Sequence, residues 1–63
     1  MATNKLEFWH ILAQREYLLG NLGLAANALE KMAEEADRQG NAEVARNARN
    51  DAGILELEII RGE

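Results

Sequence analysis

A chain of 63 residues makes one domain, and a domain of that length buries only about 60% of the surface of its unfolded chain, so its core is thin. Without cysteine it has no disulfide or thiolate zinc site to reinforce that core, which leaves oligomerisation as the usual recourse. The formal net charge of −4 argues against phosphate-backbone binding, and no uncharged run approaches the roughly 20 residues that crossing a bilayer needs.

The first expected helix runs from Lys5 to Leu19. Asn4 can cap it, and Glu7 stands three residues on, where a capping box places a carboxylate. Its stripe contains Phe8, Leu12 and Leu19, widened by Leu6, Trp9 and Ala13. Ile11 and Leu18 fall outside that stripe. Apolar residues over so much of a circumference mark the helix as central or as packed against another chain. The charged residues Lys5, Glu7 and Arg15 break any apolar run near Met1, so no signal peptide is expected and a soluble, cytoplasmic protein is.

Gly20-Asn21 should stop this helix and start the next. Glycine supplies the left-handed residue after a helix end, and asparagine accepts from the new helix's free amides. The second helix, Leu22 to Arg38, separates its faces most cleanly. Leu22, Ala25, Leu29, Met32, Ala33 and Ala36 form one side, while Asn27, Glu30, Lys31, Glu34 and Arg38 form the other. Glu35 and Asp37 extend the wet side, and Glu34 is spaced for an exposed ion pair with Arg38. Gly40-Asn41 then repeats the junction. Connections this short favour antiparallel neighbours. Ala25, Asn27 and Ala28 after the first junction match Ala45, Asn47 and Ala48 after the second, either as a small internal repeat or as two alanine-rich capped helices alike in composition.

The third helix, about 42–61, places Val44, Ala45, Ala48, Ala52, Leu55 and Ile59 in one stripe. Its alanines suit a tight seam against those of the second helix. Gly53 interrupts it at a cost of about 1 kcal/mol relative to alanine. Leu55 to Ile59 alternates as a strand does, yet leucine and glutamate favour helix and the stripe continues in phase, so helix is expected. An isolated strand would have no partner.

Four large apolar residues, Ile11, Leu18, Ile54 and Leu57, do not fit the stripes that a lone bundle buries. Contiguous exposed apolar surface marks an interaction site, so Trp9, Ile11, Leu18, Ile54 and Leu57 are the expected interface of a homo-oligomer, most simply a dimer. The run Arg46-Asn47-Ala48-Arg49-Asn50-Asp51 offers a polar recognition strip, with Arg46, Asn47, Arg49 and Asn50 able to grip carboxylates and read backbone amides of a protein partner. The other way to read it is as a solvated helix face. Trp9, Phe8 and Tyr17 supply all the aromatic content, expected in the core or at an interface.

Catalytic patterns are sparse. The chain has one histidine, no cysteine and no serine, so activated Ser-His and Cys-His nucleophiles are unavailable. Gly20 and Gly23 lie at a helix junction without a preceding strand, unlike a phosphate loop. Glu7 and His10 have the Glu-x-x-His spacing of di-metal carboxylate bundles, but the inward stripes of the other helices carry no further ligand. They form the alternative, a metal site built by an oligomer. Otherwise no cofactor, nucleic acid or membrane partner is expected.

The first two helices resemble a tetratricopeptide hairpin through Trp9, Leu12 and Ala13, Gly20 at the junction, and Ala25 with Leu29. Glu16 occupies the family's tyrosine position, Met32 and Asp37 stand where alanine and proline are usual, and Glu43, Arg46 and Asn47 replace the opening residues of a second repeat. The likeness covers about half of the chain. It implies a protein- or peptide-binding role, with one repeat too few to stand alone. Taken together, the sequence reads as an all-α, three-helix up-and-down domain spanning 1–63 that self-associates and acts as a non-enzymatic interaction or regulatory module.

Overall fold

The computed structural model describes residues 4–62. Three helices, α1 (Lys5–Leu18), α2 (Leu22–Arg38) and α3 (Ala42–Arg61), account for almost all of them, and no strand occurs among the described residues. The alternating segment at 55–59 is helical, and α3 passes through Gly53 without a break.

The two junctions are built alike. At the first, the N–H groups of Leu19, Gly20 and Asn21 donate to the carbonyls of Arg15, Tyr17 and Glu16; twenty residues later Gln39, Gly40 and Asn41 donate to Glu35, Asp37 and Ala36. The outer bonds close six-residue loops and the glycines adopt φ of +84° and +75°, the Schellman arrangement that ends a helix in a left-handed residue. The asparagines then diverge. Asn41 Oδ1 accepts from Val44 N–H at 3.3 Å and Asn4 Oδ1 accepts from Leu6 N–H at 2.8 Å, but Asn21 makes no side-chain cap. Its Nδ2 instead donates to Glu16 at 2.8 Å, tying the junction back to α1.

The core lies along α2 and consists mainly of alanine. Among the described residues, nine of the eleven buried apolar ones are Ala13, Ala25, Ala26, Ala28, Ala33, Ala36, Ala45, Ala48 and Ala52; the other two are Leu29 and Leu55. One cluster joins Ala13 of α1 to Ala25, Ala28 and Leu29 of α2 and to Ala52 and Leu55 of α3. A second joins Ala33 and Ala36 to Ala45 and Ala48, with Leu6 and Val44 against it. The start of α1 and the start of α3 therefore both meet the end of α2, so each runs antiparallel to α2 and the two outer helices run parallel.

The outer helices pack on α2 and their backbones do not approach one another. The backbone measures 40 × 23 × 11 Å. Three helices in a row at about 9 Å spacing fill such a width, and the thickness does not admit a third helix stacked over the other two. The up-and-down order is thus laid out as an open layer, with α2 in the middle. It is α2, not α1, that is central: α1 buries only Ala13, whereas α2 buries seven residues.

Three charged contacts depart from the sequence expectation. Arg38 pairs with Glu35 through Nη2 to Oε1 at 2.8 Å, and Gln39 Nε2 donates to Oε2 at 3.1 Å. Glu35 is thereby buried at 8% exposure rather than on the wet face, because its lone pairs are satisfied where it packs. The Arg38 hydrogen bond, then that of Gln39, holds its carboxyl below the ordinary value of 4.5, against the upward effect of burial. Glu34 lies 4.0 Å from Lys31 instead. Asp37 accepts from Arg49 Nη2, joining α2 to α3.

Candidate interaction surface

Among the described residues ten large apolar side chains are at least 46% exposed: Phe8, Ile11, Tyr17, Leu18, Leu19, Leu24, Ile54, Leu57, Ile59 and Ile60. Alanine seams let α2 approach its neighbours closely, which leaves the bulky residues of α1 and α3 without cavities to fill. Ile59, expected in the α3 stripe, is an instance. It borders Gly23 and Ala26 of α2, whose small or absent side chains cannot cover it.

At about 100° per residue, the expected interface residues divide by place. Trp9 is half-buried, packs against the core and meets the Phe8 ring edge-on at 4.9 Å between centroids. Ile11 and Leu18 lie on the opposite side of α1, facing away from α2. Ile54 and Leu57 face away from the buried stripe of α3. The layer therefore has two apolar edges, one on each outer helix, and the single patch that the sequence implied is divided between them.

Between the outer helices, on one face of the layer, runs an open groove of about 290 Å³. Its floor is Ala13, Leu29 and Leu55, and its walls are His10, Gln14 and Tyr17 from α1 with Asp51, Ile54 and Glu58 from α3. The walls stand apart because both outer helices are held by α2 rather than by each other. An apolar floor with polar groups on the rim can take an apolar side chain or a helix face while offering hydrogen bonds at its margins. Sequence reasoning missed this groove: Gln14, Asp51 and Glu58 gain meaning only from the parallel placement of α1 and α3.

The polar strip also divides. Arg46, Asn47 and Asn50 are exposed on the outer side of α3, whereas Arg49 is engaged by Asp37, whose hydrogen bond raises the Arg49 pKa. His10 borders the groove and Glu7 does not. Among the described residues no group of three His, Cys, Asp or Glu side chains is placed to hold a metal ion, and no helix is long and apolar enough to cross a membrane. Searched against family models, curated proteins and solved structures, the chain has no match.

Proposed function

We propose that this protein is a small non-enzymatic interaction module that self-associates and engages a protein partner. One observation carries the reading: among the described residues the interior is almost all alanine while ten large apolar side chains stand outside. Burying a Leu or Ile side chain is worth about 1.5–3 kcal/mol, so contact with another chain recovers what the fold leaves unused. The groove between α1 and α3 accommodates a helical or extended segment, and Arg46, Asn47 and Asn50 offer polar contacts on the outer side of α3.

The test is the mass in solution by light scattering across a concentration series, for the native chain and for Ile54→Asp combined with Leu57→Asp. The native chain is expected to exceed the monomer mass, and the double variant to revert to monomer with its helix content intact. Unchanged assembly and stability in the double variant would rule out this surface.

A further inference from the structure

The groove between α1 and α3 carries fixed charge of one sign only. Asp51 and Glu58 stand on its α3 wall, and none of the chain's seven Lys and Arg residues lines it. Both carboxylates are exposed, and neither joins the three ion pairs found among the described residues, Lys31–Glu34, Arg38–Glu35 and Arg49–Asp37. The neighbouring cations are placed elsewhere. Arg49 is held against α2 by Asp37, Arg46 stands on the outer side of α3, and Arg61 follows Glu58 by one turn without pairing to it.

The walls also decide the form of the occupant. Each is one face of an α-helix, whose own N–H and C=O groups are bonded within that helix, so neither can pair with the backbone of an extended segment. A helix arrives with its backbone already satisfied. The lining residues, 10–17 and 51–58, each cover two turns, about 10.5 Å at 1.5 Å per residue. Two turns of a helix about 10 Å across fill roughly 800 Å³, well above the 290 Å³ of the groove, which therefore admits one apolar side of a helix and leaves the rest outside. Asp51 and Glu58 are seven positions apart, so cations two turns apart on that helix meet them whichever way it runs. A second copy of the chain does not meet this requirement. Its net charge is −4, and its only Lys or Arg residues seven apart within one helix, Lys31 and Arg38, are already paired with Glu34 and Glu35.

We propose that the groove binds a basic amphipathic helix of another protein, its apolar side chains on Ala13, Leu29 and Leu55 and two Lys or Arg side chains, two turns apart, on Asp51 and Glu58. Burial of the apolar side supplies the affinity. The carboxylates select the partner and fix which flank of its helix faces α3, since complementary charge gives specificity more than strength. His10, Gln14 and Tyr17 on the α1 wall offer hydrogen bonds to the other flank. The inference deepens the partner reading above and rests on it.

The experiment titrates the full chain with two synthetic helical peptides, read by calorimetry and by amide chemical shifts. Both carry the same leucine stripe; one has lysines two turns apart along its flank, the other glutamates in their place. The lysine peptide is expected to bind and to shift the amides of Gln14, Tyr17, Asp51 and Glu58. Its affinity should fall about fivefold in Asp51→Asn combined with Glu58→Gln, since two partly exposed ion pairs are lost. It should be unchanged in Glu30→Gln combined with Glu34→Gln, which removes the same charge from the wet face of α2. Equal loss in the two double variants, or equal binding of the two peptides, overturns the proposal. Binding of the glutamate peptide alone overturns it too, while leaving the groove a protein-binding site. So does a shift of the groove amides when the chain alone is diluted, which would put a second copy there. If neither peptide binds at millimolar concentration, the basic helix is wrong, and self-association is still decided separately by the mass of the Ile54→Asp, Leu57→Asp variant.

Discussion

Replacing Ala33 by leucine tests whether the helices are held close by small side chains. Ala33 has no exposed surface and clusters with Ala36, Ala45 and Ala48 at the seam of α2 and α3. Leucine adds three carbons, which would gain about 2.4 kcal/mol, at roughly 0.8 each, if space received them. The opposing face is alanine, however, so the helices must separate. That exposes the other three methyl groups and stretches the Asp37–Arg49 contact. Overpacking of a filled interior costs about 1–3 kcal/mol net, against a total of about 3–9 kcal/mol for 63 residues at roughly 0.05–0.15 each. A loss of 2 kcal/mol lowers the melting temperature by roughly 8–16 °C in a domain of this size. Urea denaturation measures the change directly, as a fall in midpoint at constant slope. A midpoint that rose or stayed level would refute the close seam and show that the interior had space to spare.

Two further substitutions probe other links. Gly20→Ala forces an alanine into φ near +84° and should cost about 1–2 kcal/mol; a melting temperature equal to that of the native chain would mean the junction had changed conformation. For Glu35, the folded pKa lies below the ordinary 4.5, so the unfolded chain binds a proton first as pH falls. Its stabilising contribution is complete above the unfolded value and disappears as pH drops through the folded one. Glu35→Gln should therefore be less stable than the native chain at pH 7, with the gap closing below about pH 4. Denaturation midpoints at pH 7, 4 and 3 check this, and a gap independent of pH would exclude the carboxylate as its source.

Local features were the more legible ones. The Gly-Asn pairs announced both helix ends, because a left-handed residue is a requirement of a few neighbouring bonds and glycine meets it wherever it falls. The stripe of α2 could be read for a similar reason: its apolar spacing matches the helical period, and Ala25, Leu29, Ala33 and Ala36 are all buried. Even so, Asn21 follows a glycine just as Asn41 does, yet it bonds to Glu16, a choice made by the position of another side chain. Glu35 was hidden similarly, since two donors reaching back from Arg38 and Gln39 allow a carboxylate to be buried on what the helical period alone would call the wet side.

By itself the sequence determined that the chain is helical, where the helices break, and that its large apolar residues outnumber the places for them in stripes of alanine. Those properties belong to single turns and single faces. Only the tertiary structure decided that α2 lies between two parallel helices, that Ile11 and Leu18 stand on the edge opposite Leu57, and that His10 and Tyr17 face Asp51 and Glu58 across a groove. Periodicity states which face of a helix is apolar but not which helix it meets. That is settled by how closely backbones can approach, and here the alanines on α2 leave the outer helices joined to it and not to each other.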